Sequence, residues 1–103
     1  MTTELANITS PQWADLCARW GIRRVEVFGS TSNGQATPDS DIDLLLTIEG
    51  GVTLLDWVEL RESLAKLLGR PVDILSRSAV EVDTNASRRQ AILQSARLIH
   101  ESR

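Results

Sequence analysis

The sequence predicts a single α/β or α+β domain over residues 1–103. Three observations predict it. Apolar residues recur at helical spacing in three stretches and at strand spacing in three others, and the two kinds of stretch interleave along the chain. No 20–50-residue repeat and no low-complexity linker divides it. Strands and helices in so short a chain must share one small sheet.

Ser10-Pro11 opens the first helix, with Ser10 as N-cap and Pro11 at the first helical position. Trp13, Leu16, Cys17 and Trp20 then make one apolar face, and Gly21 ends the helix. Ile22 to Phe28 reads as a strand, Gly29-Ser30 interrupts it, and a polar loop runs to Asp39. Asp41 to Ile48 is the strongest strand pattern, closed by the Gly50-Gly51 turn. Thr53 caps a helix over Leu54 to Leu68, whose stripe is Trp57, Val58, Leu60, Leu64, Leu67 and Leu68, and Gly69 stops it. Pro71 to Leu75 is a short third strand. Ser78 with Glu81 fits a capping box, and a last helix runs from about Ala86 to His100 with Ile92, Leu93, Ala96 and Ile99 inward.

Composition narrows the function. Eleven Lys and Arg against fourteen Asp and Glu give a net charge of −3, which offers no basic field for direct contact with nucleic acid. No apolar run approaches the ~20 residues of a membrane span, and Met1-Thr2-Thr3-Glu4 does not open an export signal. One cysteine, Cys17, excludes an internal disulfide and suits the cytoplasm; with His100 the only histidine, a Cys/His zinc site and a Ser-His-Asp triad are out. Negative charge concentrates in residues 36–75, which hold eight acids and three bases.

That block contains the informative residues. Strand side chains alternate faces, so Ile42, Leu44, Leu46 and Ile48 share one face while Asp41 and Asp43 share the other, roughly 7 Å apart. Asp is depleted in strands, and two on one face repel. A hard cation such as Mg²⁺ or Mn²⁺ relieves that repulsion; full solvation of the strand's start does so too. Asp73, between Val72 and Ile74, joins the pair if the third strand lies beside the second with apolar faces matched; alternatively it is an edge-strand acid facing solvent. Three carboxylates on one sheet face suit two-metal phosphoryl or nucleotidyl transfer. Gly29 lets backbone approach a ligand closely, and Ser30 offers a hydroxyl. Neither a Walker A pattern nor Gly-x-Gly-x-x-Gly is present.

Gly29-Ser30, ten residues, then Asp41-Ile42-Asp43 resembles the nucleotidyltransferase superfamily of DNA polymerase β. The runs Val27-Phe28-Gly29-Ser30 and Thr37-Pro38-Asp39-Ser40-Asp41-Ile42-Asp43-Leu44-Leu45-Leu46 resemble its smallest branch, the minimal nucleotidyltransferases that act as antitoxins beside HEPN toxins. Leu68-Gly69-Arg70-Pro71-Val72-Asp73-Ile74-Leu75 matches the segment with the third carboxylate, and the likeness spans about residues 22–99. The resemblance implies a small mixed β-sheet with helices packed on one face. It implies Asp41 and Asp43 as Mg²⁺ ligands, Asp73 as a third ligand or as the base that deprotonates the acceptor, and Gly29 and Ser30 at the nucleotide's phosphates. It further implies transfer of AMP from ATP to a tyrosine hydroxyl of a HEPN toxin.

One departure is visible. The family commonly reads Gly-Ser-Arg-x-Arg-Gly, and this chain has Thr31 and Asn33 at the arginine positions. Either Arg70, Arg77, Arg88 or Arg89 takes over their charge, or the chain is a catalytically weak antitoxin that silences its toxin by covering it. The intact carboxylate set favours the enzyme. A small-molecule nucleotidyltransferase needs a second, substrate-gripping domain for which 103 residues leave no room.

Overall fold

A computed structural model describes residues 10–29 and 41–101. Among these residues the order is α1 (Ser10–Trp20), β1 (Ile22–Val27), β2 (Ile42–Ile48), α2 (Leu54–Leu68), β3 (Val72–Ser76), α3 (Arg77–Glu81), α4 (Ala86–Ser95) and β4 (Arg97–Glu101). The strands form one mixed sheet in the order β3-β2-β1-β4. β1 pairs antiparallel with both β2 and β4, and β2 pairs parallel with β3 through α2.

Alternation along the strands builds the core. Val25 and Val27 from β1, Ile42, Leu44 and Leu46 from β2, and Val72 and Ile74 from β3 turn one face inward. Trp13 and Cys17 of α1 and Leu60, Leu64 and Leu68 of α2 pack onto that face. α2 is held at both ends by local chemistry. The Thr53 side chain accepts from the Asp56 N–H at 3.0 Å, and the Asp56 carboxylate accepts from the Thr53 N–H at 3.2 Å, a complete capping box. Gly69 takes φ 71°, a left-handed cap, and its N–H donates to the Ala65 carbonyl. On the sheet's other face Leu45 is also fully buried, and α3 lies against β2 and β3 there.

Three sequence expectations need correction. The predicted helix over 86–100 stops at Ser95; Ala96 turns extended (φ −66°, ψ 131°) and Arg97–Glu101 becomes β4. The free edge of β1 supplies the ladder partners that local helical spacing cannot anticipate: Val27 pairs with Arg97 and Val25 with His100. Ile99 still packs on the core, but from a strand. Second, Ser78 and Glu81 do not form a capping box. Both lie within α3, whose N-cap Ser76 makes no side-chain cap, and Glu81 instead pairs with Arg77 one turn away. Third, α1 includes Ser10 as its first residue instead of using it as the cap. Ser30, the loop to Asp39, Thr31 and Asn33 lie outside the described residues.

Candidate active site

The parallel register of β2 and β3 sets Ile42 beside Val72, Asp43 beside Asp73 and Leu44 beside Ile74. Because the apolar residues of both strands point into the core, Asp43 and Asp73 emerge side by side on the opposite face, on strands about 4.8 Å apart. Asp41 is exposed immediately before β2, Asp43 is half-buried and Asp73 is exposed. Burial pushes the Asp43 carboxyl above its ordinary value, and the charges of Asp73 and then Asp41 push it further. The three acids therefore share one electrostatic field. Among the described residues no three acidic, imidazole or thiol side chains already close into a cation cage. The donor set, hard oxygens in mutual repulsion, fits a divalent cation such as Mg²⁺.

Gly29 closes the site from β1. The Phe28 N–H donates to the Asp43 carbonyl at 3.1 Å, which carries the chain past β2 into the turn. Gly29 then adopts φ +66°, and a Cβ placed on it would stand 2.9 Å from Asp43 Oδ2. A side chain here is excluded twice, by backbone conformation and by the carboxylate. The Gly29 N–H donates to Ser95 Oγ at 3.1 Å. Gly29 thus contributes a close approach to Asp43, while its amide is turned towards α4. Ser30, the other residue expected at the phosphates, lies outside the described residues.

The same face holds one more acid, which composition alone did not single out. Glu26 on β1 sits opposite Leu45 and is only 4% exposed. Arg77, at the start of α3, reaches it at 2.8 Å and binds Glu81 at 3.1 Å. Burial works against the Arg77 charge, yet Glu26 and Glu81 outweigh it and hold the guanidinium above its ordinary value. Alternation places Glu26, between Val25 and Val27, on the face a strand ordinarily leaves to solvent, so no local signal marks its burial or its need of a counter-ion.

Arg77 is held by Glu26 and Glu81, Arg88 by Asp83 at 2.7 Å, and Arg89 donates to the Asp83 carbonyl at 2.6 Å. Arg70 is half-buried and leads into β3 three residues before Asp73. Ser95 was not anticipated at all, because the helix expected over 86–100 gave it no distinct position.

Comparison with known proteins follows the same lines. The family described as a nucleotidyltransferase domain matches residues 11–99. Protein adenylyltransferase MntA of Thermococcus cleftensis is 38% identical over 78 residues, 76% of this chain and 79% of that protein. A solved minimal nucleotidyltransferase superposes with a TM-score of 0.71 at 40% identity, covering 94% of this chain and 95% of its own. Two chains from toxin–antitoxin crystal structures share the fold at lower identity. One, from a complex with AMP-PNP, has TM-score 0.69 and 18% identity over 93% of this chain and 76% of that one. The other, from the complex of a tri-AMPylated Shewanella oneidensis HEPN toxin with its MNT antitoxin, has TM-score 0.62 and 16% identity over 99% and 74%. Among the described residues no helix is long and apolar enough to cross a membrane.

Proposed function

The chain belongs to the nucleotidyltransferase domain family, and from that premise we propose that it is a protein adenylyltransferase of the antitoxin type, moving AMP from ATP onto a side-chain hydroxyl of a HEPN-domain toxin and so silencing it. The observation that carries this reading is the register that sets Asp43 beside Asp73, with Gly29 hard against the Asp43 carboxylate. Such a corner brings a triphosphate and an attacking hydroxyl together.

In this reading Asp41, Asp43 and Asp73 hold Mg²⁺, or Mn²⁺ in its place, and Gly29 and Ser30 seat the phosphates. The bound ion would neutralise charge that builds on the phosphoryl oxygens. Asp73, exposed beside Asp43, takes the proton of the acceptor hydroxyl. The acceptor oxygen forms a bond to the α-phosphorus; the bond from that phosphorus to the α,β-bridging oxygen breaks, and pyrophosphate leaves with the electron pair. We assign a tyrosine as acceptor. The chain contains no tyrosine, so that hydroxyl belongs to the partner. Cys17, buried and in no disulfide, suits the cytoplasm, where we place the reaction.

The test is incubation of the chain with its HEPN toxin, ATP and Mg²⁺, followed by mass spectrometry of the toxin. AMP should appear on tyrosine and vanish with EDTA. A second reading, inhibition by binding alone, is favoured by Thr31 and Asn33 in place of arginines. It predicts a toxin that is inhibited with its mass unchanged.

A further inference from the structure

We propose that Ser95 is a positioning residue for nucleotide binding: its hydroxyl braces the Gly29 turn against the Asp43 carboxylate and so sets the shape of the phosphate-seating corner. This rests on the adenylyltransferase reading and adds a residue to it.

Three contacts fix Gly29. The preceding residue is tied to β2 by the Phe28 N–H to Asp43 carbonyl bond at 3.1 Å. The Asp43 Oδ2 atom fills the space a Gly29 Cβ would take. On the remaining side the Gly29 N–H donates to Ser95 Oγ at 3.1 Å, across 66 residues of sequence. The hydroxyl is itself aligned, because it donates to the Ile92 carbonyl at 3.1 Å. With its proton aimed at Ile92, a lone pair is left for Gly29. Alanine keeps the helix end but removes the bonds to Gly29 and to Ile92, whereas threonine keeps the hydroxyl.

Ser95 is the last residue of its helix. Its helix, α4, is capped at the far end by the Asn85 side chain, which accepts from the Arg88 N–H at 3.0 Å. Directly after Ser95 the chain leaves the helix and joins β1, where Arg97 pairs with Val27. Ser95 thus stands at the corner between α4 and β4, the strand that pairs with β1 just ahead of Gly29. A left-handed glycine turn is otherwise free to sample many conformations, most of which misplace the phosphates. The serine removes that freedom without touching the nucleotide.

The experiment compares the full-length chain with its Ser95→Ala and Ser95→Thr variants. Binding of a fluorescent ATP analogue in Mg²⁺ gives Kd, and AMP transfer to the toxin gives KM and kcat. Hydrogen exchange at the Gly29 amide reports the brace directly, and melting curves report folding. Losing one neutral hydrogen bond predicts about a three- to tenfold rise in Kd and KM for Ser95→Ala, with kcat at saturating ATP within about twofold and Gly29 exchange faster. Ser95→Thr should bind as wild type does. A variant that merely melts lower, with Kd unchanged, overturns the proposal. So does tighter ATP binding by Ser95→Ala, which would mean that the freed Gly29 N–H serves the phosphates better alone. Wild type that binds ATP but labels no toxin overturns the adenylyltransferase reading and leaves the Kd ratio to judge Ser95; wild type that binds no ATP overturns both.

Discussion

Glu26 and Asp43 lie on the same face of one sheet, on neighbouring strands, and their charges meet opposite circumstances. Glu26 is almost fully buried, with Arg77 at 2.8 Å. Asp43 is half-buried, with Asp73 and Asp41 as its charged neighbours. The first acid has its counter-ion built into the fold, so it is spent on structure. The second has, among the described residues, only like charges as its charged neighbours. A buried acid that is satisfied and an acid that is crowded are therefore different signals, and it is the second kind on which the proposed chemistry rests.

Breaking the satisfied pair should have the largest effect. Arg77→Met leaves Glu26 buried without its cation, and should cost about 3 kcal/mol of stability in a denaturant melt. Combining it with Glu26→Leu should recover most of that loss, because two apolar groups need no partner. An Arg77→Met protein as stable as wild type would erase the contrast.

Next comes Asp43→Asn. AMP transfer should fall about a hundredfold or more, roughly 3 kcal/mol of barrier, while the fold holds. Retained activity would show that the crowded acid is idle.

Smaller is the relief of repulsion. With EDTA present, Asp41→Asn combined with Asp43→Asn should melt higher than wild type by about 1 kcal/mol, or some 4–8 °C, and should no longer respond to Mn²⁺ plus ATP. The sign in pH follows from the raised Asp43 value. The folded protein holds this proton more tightly than the unfolded chain does. Its stability therefore falls as pH rises from the unfolded carboxylate value through the folded one. The variant's advantage should be complete near neutrality and gone below about pH 4. Equal melts at both pH values would mean that the three acids do not feel one another.

The smallest effect is at Asp83, whose carboxyl is held below its ordinary value by the Asn85 backbone N–H and then by the Arg88 side chain. That contribution is present above the unfolded carboxylate value and is lost as pH falls through the lower folded one. Asp83→Asn should shift the melt only slightly, and only above that range. It sharpens the comparison by showing what a half-buried, satisfied acid is worth.

Most of this architecture was legible. Alternation placed Ile42, Leu44 and Leu46 inward and Asp43 outward, and the same rule applied to Val72-Asp73-Ile74 put the third carboxylate beside it. Thr53 and Gly69 marked both ends of α2 because caps are local chemistry. The illegible parts depend on contacts distant in sequence. Arg97 to His100 continues a helical spacing, and only the open edge of β1 turns it into a strand. Ser95 acquires its role from an amide 66 residues away. Arg77 reads as an available cation until Glu26 is known to lie beneath it.

The link between Gly29 and Ser95 also sets an order of assembly. Ribosomes add roughly 5–20 residues per second and expose the N-terminal part first, while contacts distant in sequence close last. A nascent chain arrested after β3 already carries Asp41, Asp43 and Asp73, but not the hydroxyl that steadies the turn beside them. Its carboxylates are in place before the phosphate corner is. On the adenylyltransferase reading, productive nucleotide binding therefore waits until residues 95–101 have been made and dock along β1.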